Sequence, residues 1–586
     1  MKQAATLFIP LLIIVPGLTL TSADPQQPPS ATNNNPIMVS PEKISPISGH
    51  IPAESLYQVL AAELALDREH PEIALANYIA AAKETQDASI ASRATQIALS
   101  IASLETAIEP ATIWANAAKD NLEAQITTAA LYIRINQVPK AVPFLRRAEQ
   151  ANAEEAFQYY LILFRQLQNE EDNQRVIEAL RLLSKEETKE VSGHLALAEI
   201  YLYQGNEKAS LEMSEAALKI SPDSPIAIQL YAESLLRSQG KDAAKEFLDK
   251  KMASKKQDLL VHQYYAQFLL DNGFTTEARK QIENLVENPN LTTEELLQFA
   301  RMSMQAQWFD IAEKVLKRTS NVAESKDLSH YFLARIAEMQ DKNDVAIEWF
   351  QQVLTGPFHV LSQVRASTLL TEKKQYNKAL EILSHAQPSD IPEKKQIILA
   401  TVDVLNHANR QKEALSLLSE SIELMPEEIE LHYARSLIAD HLDRLDIAEA
   451  DLQAILAVQP NHLDALNALG YMLANKTNRY AEAQQYLNKA IKISPNNASV
   501  LDSLGWLYYK MGDYKKSLET LEKAAKIMPD AEIAAHLGEV MWHMKDFEGA
   551  KRVWHDALEQ HPKHENIMEA MKRSMSSSNK KPLMQK

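Results

Sequence analysis

The chain has 586 residues, 46% hydrophobic and 24% charged, with 12 glycines, no cysteine and a net charge of −17. So few glycines exclude a turn-rich β protein, and the absence of cysteine excludes thiolate metal sites, thiol catalysis and disulfides. The acidic balance argues against nucleic acid and against adhesion to anionic lipid, because both need clustered Lys and Arg.

Residues 1–23 predict a signal peptide. Lys2 supplies a minimal basic start, and Ala4 to Leu20 form an apolar run broken by Pro10 and Pro16. Thr21-Ser22-Ala23 then offers a small-residue cleavage point before Asp24. An uncleaved membrane anchor is the competing reading, but a spanning helix needs ~20 apolar residues and tolerates prolines poorly. No later stretch is long and apolar enough to span a bilayer, so no transmembrane domain is expected in the mature chain. The expected location is the periplasm.

Residues 24–52, dense in Pro, Asn and Ser, predict an extended linker, since they bury too little apolar surface to offset their ordering entropy. Residues 53–150 carry helical repeats in degenerate form. The stretch 55–84 keeps a ladder of Ala74, Tyr78 and Ala81, and 121–150 keeps Tyr132, Ala141, Leu145 and Ala148 without a closing proline. Within 151–394, residues 191–222 form a clear unit with Tyr201, Gly205, Ala217 and Pro222 in register, whereas about 251–395 is helical in pattern but poorly phased.

The region 395–564 is well phased. Pro426, Pro460, Pro495, Pro529 and Pro562 follow one another at 34, 35, 34 and 33 residues. Ala414, Ala448, Ala483, Ser517 and Ala550 lie twelve residues before each proline, and Leu418, Leu452, Leu487, Leu521 and Trp554 follow those by four. Gly470, Gly505 and Gly538 keep the same step. The small residues predict two helices crossing closely, the large ones fill the space left, and the proline stops the second helix. Residues 565–586 read as a helix end followed by a low-complexity polar tail, SMSSSNKKPLMQK.

These positions resemble the tetratricopeptide-repeat (TPR) family, whose 34-residue unit is a helix–turn–helix. In residues 502–529, Leu504, Gly505, Tyr508, Gly512, Tyr514, Leu521, Ala524 and Pro529 fall where that family places them, with Ser517 in place of the usual Ala. The fold expected is all-α: a TPR-type α-solenoid, a right-handed superhelix of about fifteen helical pairs.

No glycine-rich phosphate loop, serine-hydrolase elbow or zinc-protease helix motif occurs, so no enzyme and no cofactor are expected. Histidines gather late, at His536, His543, His555, His561 and His564. His561 and His564 are three apart, but Pro562 lies between them and surface histidines are the default reading, so no metal is expected.

The first helices of TPR units line an inner face. Counting positions 2, 5, 9, 12 and 13 from starts near 429, 463, 498 and 531 selects Tyr433, Asp440, Asn467, Tyr471, Asn475, Asp502, Trp506, Tyr509, Glu539, Trp542 and His543. Aromatics beside Asn and acidic groups describe a peptide-binding wall, and the same aromatics also suit packing between repeats. A carboxylate clamp of the Hsp type would need inner lysines; Asn467 fits one slot and the lysines are missing.

Three stretches, 81–99, 469–487 with its one-residue expansion, and 502–562, resemble a group of proteobacterial envelope TPR proteins of the LbcA type. The resemblance implies an adaptor that presents cell-wall hydrolases to a periplasmic carboxy-terminal processing protease, a serine protease. Members of that group carry a lipobox cysteine, which this chain lacks. The alternative is a TPR structural subunit of an envelope assembly or exopolysaccharide export machine. Either way the expected partners are proteins.

Overall fold

The computed structural model describes residues 52–166, 170–185, 191–253, 258–562 and 564–578. The expected signal peptide and all of the expected linker except Pro52 lie outside the described residues, as do 579–586 of the tail.

The described residues form helices joined by short turns, without a strand. Successive helices pair as antiparallel hairpins. The first are α1 (Ala53–Asp67) with α2 (Pro71–Thr85), α3 (Ala88–Ser100) with α4 (Leu104–Ala117), and α5 (Leu122–Arg134) with α6 (Val138–Ala151). Next come α7 (Ala153–Gln166) with α8 (Glu170–Ser184), α9 (Ser192–Tyr203) with α10 (Glu207–Ile220), and α11 (Pro225–Gln239) with α12 (Lys241–Met252). They are followed by α13 (Leu259–Asp271), by α14 (Thr275–Val286), and by α15 (Thr293–Gln305) with α16 (Phe309–Thr319). A 3₁₀ turn at Ala323–Ser325 precedes α17 (Lys326–Met339) with α18 (Asn343–Gln351), α19 (His359–Glu372) with α20 (Tyr376–His385), and α21 (Ile391–His407) with α22 (Gln411–Leu424). The well-phased end comprises α23 (Ile429–His441) with α24 (Leu445–Val458), α25 (Leu463–Lys476) with α26 (Tyr480–Ile493), and α27 (Ala498–Lys510) with α28 (Tyr514–Ile527). It closes with α29 (Ala531–His543), α30 (Phe547–Gln560) and α31 (Glu565–Ser578). The described residues hold 31 helices, against the expectation of about fifteen helical pairs. The chain divides into two compact units, 1–278 and 279–586, and α14 spans the division.

The sequence period acts through one repeated contact. A methyl group on Gly470 would lie 2.5 Å from Leu487 Cγ, one on Gly505 2.6 Å from Leu521 Cγ, and one on Gly538 closer still to the Trp554 indole. Leu487, Leu521 and Trp554 are fully buried there, so each large side chain occupies the space its glycine leaves. Ser517 fits the small-residue position because its buried hydroxyl donates to the Gly505 carbonyl at 2.8 Å. Upstream, Ser210 donates to Ala198 O at 2.8 Å in the same way.

The proline period marks helix ends. Helices α22, α24, α26, α28 and α30 end at Leu424, Val458, Ile493, Ile527 and Gln560, each two residues before its proline. Some helix starts are capped by side chains: Asn497 accepts from Val500 N–H (3.1 Å) and Asp546 from Gly549 N–H (2.9 Å). Within a pair, the turn uses one left-handed residue: Asn409, Asp443, Gly512 or Lys545. The following N–H then reaches back to the first helix, as from Arg444 to Ala439 O (2.8 Å) and Asp513 to Tyr508 O (2.9 Å). The α25–α26 turn departs from this. There Thr477 is extended (φ −134°), and α25 has 14 residues where α27 has 13.

At the C-terminus α31 runs to Ser578, and Ser574 is buried. The stretch 574–578, read as polar tail, is therefore helical.

Candidate functional site

First helices α23, α25 and α27 each pack on their own second helix, and α25 lies against α27. Their remaining faces, with the start of α29, enclose a cavity of about 290 Å³. Of the residues selected by phase, Tyr433 and Asp440 on α23, Asn467 and Tyr471 on α25, and Asp502 on α27 all line it. Counting did not reach Ser436, nor Met528, Asp530 and Ile533, which come from the turn before α29 and its first residues, whereas Leu437 occupies position 9 of its unit, a position already in the count. Ser499 and Glu532 also line it and occupy position 2 of their units, a position already in the count.

The other selected residues have different neighbours. Trp506 is 5% exposed, stacks on His536 (4.1 Å, 23°) and Tyr509 (4.9 Å, 24°), and donates its indole N–H to Asn475 Oδ1 at 3.1 Å. Tyr509 is half-buried and meets His543 edge-on at 5.8 Å. Glu539 pairs with Arg573 of α31 at 3.1 Å. Trp542 packs on Phe547 (4.7 Å) and Trp554 (5.8 Å), and His543 is exposed, 4.3 Å from the Tyr514 ring. Trp506 is thus a packing residue in geometry, whereas the first five line the cavity.

Asp502 of the cavity lining forms an ion pair with His536, a residue counting did not select. His536 Nδ1 is 3.0 Å from both carboxylate oxygens of Asp502, and both side chains are buried. Burial works to lower the His536 pKa, but the Asp502 carboxylate outweighs it, so the imidazole is held above its ordinary value. A second buried pair serves structure: Asp451 accepts from Arg435 at 2.7 and 2.8 Å and lies 2.8 Å from His432 Nδ1.

Asp440 has the opposite situation. Burial pushes its carboxyl above the usual carboxylate range, with Lys476 opposing. Its Oδ1 has no hydrogen-bond partner, and neither has Oδ1 of Asn467 on the adjacent helix. Burial raises the phenols of Tyr433 and Tyr471 as well. Among the described residues lining the cavity there is no Lys, Arg or His.

No group of three or more His, Asp or Glu among the described residues is placed to hold a metal ion. His561 and His564 stand at the α30–α31 turn with ring centroids 6.2 Å apart. No helix among the described residues is long and apolar enough to cross a membrane.

Models of the tetratricopeptide repeat match residues 191–224, 433–498 and 474–540. The chain therefore carries tetratricopeptide repeats, and the cavity lies within the matched C-terminal stretch. Over 497 residues it is 28% identical to the TPR repeat-containing protein PA4667 of Pseudomonas aeruginosa, covering 84% of this chain and 83% of that one. Similar solved structures include TTC0263, a TPR protein of Thermus thermophilus (22% identity, 31% of this chain and 98% of that chain, TM-score 0.29). Another is the Cut9–Hcn1 hetero-tetramer of the APC/C (14% identity, 89% and 97%, TM-score 0.32).

Proposed function

We propose that this chain is a non-catalytic adaptor of the bacterial periplasm, which holds protein segments in the α23–α29 groove and presents them to a carboxy-terminal processing protease. The observation that carries the binding half is the cavity itself: a concave wall with two tyrosines and two unpartnered acceptors, on a repeat fold whose general use is protein–protein interaction. The protease half rests on the resemblance of 81–99, 469–487 and 502–562 to LbcA-type envelope proteins. An adaptor works by raising the effective concentration of substrate at the protease, which requires two separable surfaces on one chain. Two compact units, each with its own buried side chains, supply the material for them.

The test is affinity capture with the intact chain from envelope extracts, followed by reconstitution. A serine protease and a cell-wall hydrolase should be captured together. Purified protease should degrade the hydrolase faster with the intact chain, and Tyr471→Ala should remove that stimulation. Capture of neither protein, or equal degradation with and without the chain, would sink the proposal.

A further inference from the structure

The groove has a marked chemical bias. Its lining carries the acids Asp440, Asp502, Asp530 and Glu532 and no basic side chain among the described residues. Asp502 is satisfied by His536. Asp440 and Asn467 are not: each keeps a buried Oδ1 without a donor, on neighbouring helices, beside the rings of Tyr433 and Tyr471. Buried acceptors are ordinarily paired, so two on residues that line one cavity describe what is missing.

The missing group must bring donors without acceptors, positive charge, and an apolar stem to lie along tyrosine. A lysine ammonium or an arginine guanidinium does this, since both donate only, and both pack on aromatic faces. A carboxylate terminus or acidic segment would add repulsion to acceptors already unpaired. The cavity, about 290 Å³, is of a size for long side chains rather than a folded domain. The chain's net charge of −17 would steer a cationic partner toward it.

We infer that the groove selects an extended basic segment of a partner protein, seating a Lys or Arg head group against Asp440 and Asn467 and its stem between Tyr433 and Tyr471. The inference rests on the reading of this groove as a protein-binding surface and adds the chemistry of its ligand.

The test uses the full chain and three fluorescent peptides of equal length: Lys/Arg-rich, Ser/Gly-rich and Asp/Glu-rich. Anisotropy should show the basic peptide binding at least about tenfold tighter than the neutral one, and the acidic one not at all. Asp440→Asn should weaken the basic peptide about tenfold and leave the neutral one unchanged, with helicity by circular dichroism preserved. Glu519→Gln, at an exposed acid on α28, should change nothing. If Asp440→Asn and Glu519→Gln act alike, the attraction is general charge and the inference falls. If basic and neutral peptides bind equally and Tyr471→Ala weakens both, the groove binds protein but does not select charge. If no peptide binds, both readings fail. If binding emerges only when residues 579–586 are deleted, the occupant is the chain's own Lys-containing terminus, and a partner segment is ruled out.

Discussion

Replacing Gly505 by alanine tests the contact that sets the geometry of one repeat. The added methyl would lie 2.6 Å from Cγ and 2.9 Å from Cδ2 of the fully buried Leu521. Relieving that contact means moving Leu521 within a filled core, and overpacking of this kind costs about 1–3 kcal/mol. Alanine recovers about 1 kcal/mol through its better helix propensity. The single variant should therefore lose up to about 2 kcal/mol. Leu521→Ala alone leaves a cavity and should cost about 2–5 kcal/mol. In the double variant the new methyl enters the space vacated by leucine, so the clash disappears while the propensity gain remains. The double variant should then be more stable than the sum of the singles predicts by about 1–3 kcal/mol. Native-state hydrogen exchange of the α27 and α28 amides is the appropriate assay, because it reports local opening and does not require the whole chain to unfold in one step. Strict additivity of the two substitutions would refute the argument.

The Asp502–His536 pair predicts a pH dependence with a definite sign. His536 is raised in the folded state, so its stabilisation is fully present below the ordinary value of 6.5 and is lost as pH rises through the higher folded value. Protection of α27 and α29 amides should fall over that alkaline-going window, and His536→Gln should flatten the dependence; an unchanged slope would remove the pair from the account. Trp506→Ala should destabilise the C-terminal repeats by about 3–5 kcal/mol, since a buried ring and its bond to Asn475 are lost. Trp542→Ala, at a half-buried ring, should cost less. Weakened partner binding by Trp506→Ala at unchanged thermal stability would instead make that ring a ligand contact.

Much of this fold is legible without coordinates, because its determinants are steric and periodic. Gly505 and Leu521 meet because one residue type has no side chain and the other is large, and both facts are visible in the letters. The stretch from about 251 to 395 yields less, for an equally physical reason. Its second helices α18 and α20 have 9 and 10 residues where α22, α24, α26, α28 and α30 all have 14, and a 3₁₀ segment at Ala323–Ser325 shifts the phase. Phase counting selects Tyr433, Asp440, Asn467, Tyr471 and Asp502, which line one cavity, because helical position can be read from the letters. It does not separate Trp506 from them, because that ring is drawn aside by His536 in the next repeat. It also misses Met528, Asp530 and Ile533, which reach the wall from a turn outside the counted positions. Ser574 is hidden by composition: a serine-rich stretch reads as tail until its burial is seen.

The irregular turn between α25 and α26 shows where this architecture can change length. The extra residue lengthens the C-terminal end of α25, beyond Gly470, and leaves Gly470 seated on Leu487 just as Gly505 sits on Leu521. A residue added ahead of the glycine would instead rotate everything beyond it by about 100° and carry the small residue away from its partner. Growth and divergence are therefore channelled into the turns, which can lengthen, acquire new side chains or accept a grafted label while the wall keeps its register. For an engineer, the α25–α26 turn is the natural place to attach a reporter; for the lineage, it is where novelty costs least.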